Sequence, residues 1–207
     1  MRHESSVYTI GHSTRTSAEL IRILFIYKIQ TLVDVRRFPK SLCNPQFNSE
    51  NIEQELTKNG MQYAWFEKLG GRREGFGEKS MNKCWKNKSF RNYADYMETE
   101  SFHHAAQKLV GMINANTVVI MCAETLHWRC HRSMISDFLK SKGVRVIHIL
   151  DAQHSTEHKF TECAKLVAGH LTYHEISNLD GLLSSQRPMT PRSRFLSEGN
   201  ISELRIN

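Results

Sequence analysis

Two cysteines, two arginines, two histidines and one glutamate fall within eleven residues, Cys122 to Arg132, between an apolar run and an amphipathic one. A cysteine is a nucleophile or a metal ligand only as the thiolate, and nearby cations or a helix N-terminus lower its pKa. Cys130, beside His131 and Arg132 at the head of a helical pattern, has that setting, while Cys122 closes the strand-like run TVVIMC. The helix that follows lacks Ser, Thr, Asp or Asn at its start, which leaves its free N–H groups to an anion, a water or the Cys130 sulfur. Arg129 and Arg132 are placed to hold phosphate or carboxylate. Glu124 is a general acid or base if desolvated, and otherwise the partner of an arginine. Cys122 has a competing reading as a small hydrophobe of the core.

A cysteine after a strand, with an arginine and a helix beyond it, resembles the anion-cradling loops of cysteine phosphatases and rhodanese-like sulfurtransferases. Six residues separate Cys122 from Arg129, one more than the phosphatase loop has, and Glu124 is a carboxylate where a phosphate would bind. A zinc site built on Cys122, Cys130, His131 and another histidine is disfavoured. The seven residues between the cysteines exceed the two to four of structural sites. A catalytic site with ligands from separate loops, His12 among them, and a Cys122–Cys130 redox disulfide both stay open. No cofactor is expected.

Three further groups carry chemistry. In DVRRFPKSLCNPQFN, Asp34 offers a catalytic or ribose-binding carboxylate, or else an ion pair with Arg36. Arg36, Arg37 and Lys40 form a basic cluster, Asn44, Gln46 and Asn48 offer amides to a polar ligand, and Phe38 and Phe47 are apolar faces for a base or for the core. In LGGRR, Gly70 and Gly71 let backbone approach a ligand that Arg72 and Arg73 would clamp, or simply make a tight turn. His12 and Ser13 follow the first strand, where Ser13 is also free to cap a helix.

The elements that position these groups alternate. Strand-like runs cover VYTI, TLVDV, MQYAWF, TVVIMC and VRVIHI. Helical spacing covers AELIRILFIYKI, IEQELTKNG, residues 90–111 and about 131–142, with Thr14, Thr16 or Ser17 and Glu19 opening the first and glycines closing others. Alternation with continuously apolar strands predicts a single layered α/β domain over residues 7–150, with a mainly parallel central sheet of about five strands flanked by helices. Residues 69–89 form a long loop. Residues 151–175 are expected to be a helical extension, with a helix near 157–167, and residues 176–207 a flexible basic tail. In a parallel sheet the loops at the carboxyl ends of strands face ligands, and nearly all the unusual residues fall on that edge.

Composition bounds the classes. Apolar residues at 40% and charged residues at 24% predict a globular core, and a net charge of +7 favours anionic partners. The N-terminus lacks a signal-peptide run and no segment is apolar enough to cross a bilayer. Five cysteines without a C-x-x-C pair predict reduced thiols in a cytosol rather than a disulfide framework.

Five ordered motifs carry a resemblance over about residues 7–150: YTIGHS (8–13), VDVRRFP with NPQFN (33–48), LGGR (69–72), Cys122-Ala123-Glu124 with Cys130-His131-Arg132, and VIHI (146–149). By these the chain resembles the family catalogued as domain of unknown function 488. That resemblance implies a small cytosolic α/β protein and no established activity. The residues themselves point to an enzyme, a hydrolase or transferase, on a small anionic substrate such as a nucleotide or a nucleic-acid component. Arginines would hold the anion, Asp34 or Glu124 would serve as base, Cys130 or Cys122 as nucleophile, and His131 would complete the catalytic group. A non-catalytic nucleic-acid-binding module and a cysteine-based redox or metal sensor are the alternatives.

Overall fold

The computed structural model describes residues 5–175, so the expected tail at 176–207 lies outside the described residues. Six strands make the central sheet: β1 (Ser6–Gly11), β2 (Thr31–Asp34), β3 (Gln62–Trp65), β4 (Val118–Cys122), β5 (Arg145–Ile149) and β6 (Ser155–Glu157). Their order is β3-β2-β4-β1-β5-β6, parallel throughout except for β6, which runs antiparallel along the β5 edge. The helices are α1 (Ser17–Ile26), α2 (Ser49–Lys58), α3 (Lys88–Met97), α4 (Glu100–Ala115) and α5 (Arg132–Ser141). The predicted α/β layered domain with a mainly parallel sheet is what forms.

Period-2 alternation along the buried strands sends side chains to opposite faces. Leu32, Val119 and Met121 pack with α1 and α2, while Val33, Val118, Ile120 and Cys122 pack with α3, α4 and α5. Thr16 and Glu19 form a reciprocal capping box that fixes the start of α1.

Three expectations are corrected. The helical run 90–111 is two helices, because Thr99 leaves the helical conformation and accepts from the Phe102 N–H to start α4. The helix expected near 157–167 is absent. Residues 155–157 instead pair with the open edge of β5, and β7 (Lys165–Val167) and β8 (His170–Thr172) form a hairpin. Ala168 and Gly169, both at positive φ, make the tight turn that a helical reading overlooks. The thiols are not all reduced: Cys84 and Cys163 form a disulfide across 79 residues, joining the long loop to the extension, a pairing that spacing along the chain cannot reveal. That loop, 69–89, is organised by buried Asp95, which accepts from Phe76 N, Ser80 Oγ and Asn82 Nδ2. No helix among the described residues is long and apolar enough to cross a membrane.

Candidate functional site

Strand order fixes where a ligand crevice is expected in a fold of this kind. After β2 the chain turns toward β3 by way of α2 on one face; after the adjacent β4 it turns the opposite way, to β5, by way of α5 on the other face. Neighbouring parallel strands whose connections diverge in this way leave a gap at their carboxyl ends, the usual ligand position in open α/β sheets. Asp34, Val35 and Arg36 leave β2 there, and Cys122 leaves β4 there.

On the α3–α5 face of this gap, His131 sits between two thiols. Its Nδ1 is 3.9 Å from Cys122 Sγ and 3.6 Å from Cys130 Sγ, and the three atoms lie within 4.8 Å of one another. Nε2 lies 3.0 Å from the Val35 carbonyl oxygen, which can only accept. Nε2 therefore carries the proton, and in the neutral ring Nδ1 presents a lone pair to both sulfurs. Tyr93 packs edge-on against the ring at 5.2 Å. The Arg132 N–H points at Cys130 Sγ at 3.5 Å, so the sulfur takes the capping place that no oxygen fills. A hydrogen bond from the Cys122 thiol, with His131 and Arg132 alongside, holds the Cys130 thiol well below its ordinary pKa. The same hydrogen bond, together with burial, pushes the Cys122 thiol up. The two sulfurs are thus pushed in opposite directions by one contact.

On the α1–α2 face stands a second group. Asp34, fully buried, accepts from the Arg36 backbone N–H, from Arg36 Nε and Nη2 and from the Tyr63 hydroxyl. Arg36 also donates to the Phe47 carbonyl and to His12 Nε2 at 3.2 Å. His12 donates from Nδ1 to the Ser13 carbonyl and stacks on Phe47 with ring centres 4.2 Å apart. Burial lowers its pKa to about 4, so the ring is neutral. Every polar atom of this Asp–Arg–His group is engaged within the protein.

The remaining expected residues divide by whether their polar groups are committed. Arg132 is 1% exposed and donates to Thr9 Oγ1 and to the Glu124 and Thr125 carbonyls. Arg37 donates to the Arg72 carbonyl and pairs with Glu67. Gln46 donates to the Arg15 carbonyl, whereas Asn44 donates its backbone N–H to Ser41 Oγ and its side-chain amide makes no hydrogen bond among the described residues. Ser13, at φ 52°, ties its N–H to the Ala123 carbonyl. Gly70 lies against the backbone of Arg37, where a Cβ would come within 2.6 Å of Cα. Gly71 lies against His131, where a Cβ would stand 3.1 Å from Nδ1. Arg72, next to Gly71, and Arg129, next to Cys130, are exposed and their side chains make no hydrogen bond or ion pair among the described residues. Glu124 is exposed, its carboxylate accepting only the Leu126 N–H, at 3.4 Å.

Sequence reasoning missed a buried chain behind Arg132. Thr9 Oγ1 meets His148 Nδ1 at 2.7 Å, His148 Nε2 meets His158 Nδ1 at 2.9 Å, and His158 Nε2 meets Asp137 Oδ1 at 2.9 Å. With Arg132 donating to Thr9, one direction of donation satisfies every link down to the carboxylate. His127 stacks on His148 with centres 3.6 Å apart. Only the polar positions within VIHI and on the buried face of α5 signal this chain in the sequence. A cavity of about 240 Å³ opens elsewhere, near Phe138 and Lys142 at the far end of α5 from Cys130. It holds none of the residues singled out from the sequence.

A family model described as Domain of unknown function DUF488 matches residues 17–139. The chain belongs to that family. The match begins at α1 and ends in α5, so it contains Asp34, Gly71, both thiols and His131, and it carries no activity with it. No curated protein and no solved structure matches the chain. The function of this DUF488 member rests on its own geometry.

Proposed function

We propose that this DUF488 protein is a thiol-dependent enzyme, a hydrolase or transferase, acting on a small anionic and phosphate-bearing molecule at the β2–β4 crevice. The observation that carries this reading is the orientation of His131. An imidazole locked by Val35 through one nitrogen, with its other lone pair facing a thiol, is the nucleophile–base–orienter arrangement of covalent catalysis. Cys130 is the nucleophile; its proton passes to His131 Nδ1, giving a thiolate–imidazolium pair that the Cys122 S–H supports, and His131 then delivers that proton to the leaving group. Attack by Cys130 sulfur forms a bond to the electrophilic atom as the bond to the leaving group breaks; water or an acceptor then releases the product. Arg129, next to Cys130 in the chain, and Arg72, next to the Gly71 that lies against His131, make no hydrogen bond or ion pair among the described residues and supply the charge for an anion. Asp34 and Arg36 hold the β2 end of the crevice in place.

Screening small phosphate-bearing compounds, nucleotides first, tests this. Cys130→Ser and His131→Gln are expected to abolish turnover, and the double substitution Arg72→Ala/Arg129→Ala to raise KM with kcat little changed. Undiminished turnover in Cys130→Ser overturns the reading.

A further inference from the structure

We propose that Cys122, Cys130 and His131 bind one Zn²⁺ ion, with a fourth coordination position left open for an anion. The inference rests on where three atoms sit and stands whether or not Cys130 attacks a substrate, so it goes beyond the thiol chemistry above. Zinc bonds of about 2.3 Å to sulfur and about 2.0 Å to nitrogen, at tetrahedral angles, separate sulfur from nitrogen by about 3.5 Å. The two sulfurs stand 3.9 and 3.6 Å from Nδ1, so small side-chain rotations close them around an ion. The spacing of structural zinc sites does not apply, because one sulfur ends a strand and the other two donors open a helix.

Two further observations point to a ligand at Nδ1. The donation from His131 Nε2 to Val35 O is the outer contact that fixes the tautomer and aim of metal-bound histidines. Gly71 faces Nδ1 with no side chain, where even a methyl group would stand 3.1 Å from the nitrogen. Three protein donors with an open approach make a catalytic rather than a closed structural geometry. Two thiolates and a neutral imidazole cancel the dication. The buried Arg132 guanidinium, which makes no ion pair among the described residues, then favours an anion in the fourth position. The loaded ion occupies both the sulfur and the imidazole lone pairs, so zinc closes the site to thiol chemistry and protects it from alkylation.

Titrating the full-length, chelator-stripped protein with Co²⁺ tests the site independently of activity. The expected result is saturation at one equivalent, with a thiolate-to-cobalt charge-transfer band, visible bands of tetrahedral intensity, and displacement by Zn²⁺. Cys122→Ser and Cys130→Ser should each weaken the charge-transfer band, with circular dichroism confirming that the variants fold, and the double variant should lose it. Gly71→Ala, which keeps all three donors, should weaken binding. Absence of the charge-transfer band in the unsubstituted protein, or a spectrum unchanged in the cysteine variants, overturns the proposal. Cobalt binding as described with inert metal-free thiols would leave the zinc site standing and remove the thiol enzyme. A reactive Cys130 without the cobalt bands would do the reverse.

Discussion

Asp34 and His131 both lie at the crevice, and their surroundings give them different work. Asp34 is fully buried and accepts five hydrogen bonds from four donor groups of Arg36 and Tyr63, so its charge is spent on holding Arg36. His131 keeps one nitrogen uncommitted to oxygen. Asp34→Asn is therefore expected to destabilise the fold by about 3–5 kcal/mol, because it leaves a buried guanidinium unpaired. Urea denaturation reads this directly; full stability with abolished turnover would instead make Asp34 a reacting group. The residue types at 122, 130 and 131 were legible as chemistry in the sequence. The division of labour was not, because it depends on which face of the sheet each side chain enters. Alternation puts Asp34 with Leu32 on one face and Cys122 with Ile120 on the other.

At the scale of elements, strands were legible where apolar runs end in glycine or charge, as at β1, β2, β4 and β5. The extension was misread because three-residue strands leave no period to detect; their existence depends on the unpaired edge of β5 and on the Ala168–Gly169 turn. The chain Thr9–His148–His158–Asp137 ties β1, β5, α5 and this extension together. Its stability has a sign in pH. Burial holds His148 near a pKa of about 2 and His12 near about 4, against an ordinary 6.5. Both rings are neutral when folded and would take a proton below pH 6.5 when unfolded. The stability they contribute is whole above 6.5 and declines as pH falls from 6.5 toward 4, by about 1.4 kcal/mol per unit for each. Thermal melts from pH 7 to 5 should show Tm falling, with a shallower slope in His148→Asn. A flat profile would contradict the buried, neutral assignment.

For the whole molecule, the decisive property is strand order, which no local pattern encodes. Insertion of β4 between β2 and β1 sets β2 and β4 side by side with diverging connections, and that places the thiols at the topological switch point of the sheet. The sequence did place the reactive groups on the carboxyl edge, since that follows from the βα alternation alone. It also implied that the arginines converge on a ligand. In the folded chain Arg36 and Arg132 are committed to internal acceptors, and only Arg72 and Arg129 of that expected set stand exposed and uncommitted among the described residues.

Whether the neighbours of Cys130 hold it as a thiolate is read most directly from its alkylation rate against pH, in metal-free protein with each thiol followed separately. Cys130 should react first, with a midpoint well below the free-thiol value of about 8.5, and His131→Gln should move that midpoint upward. A Cys130 that titrates at or above 8.5, or that does not react while the protein stays folded, would contradict the account.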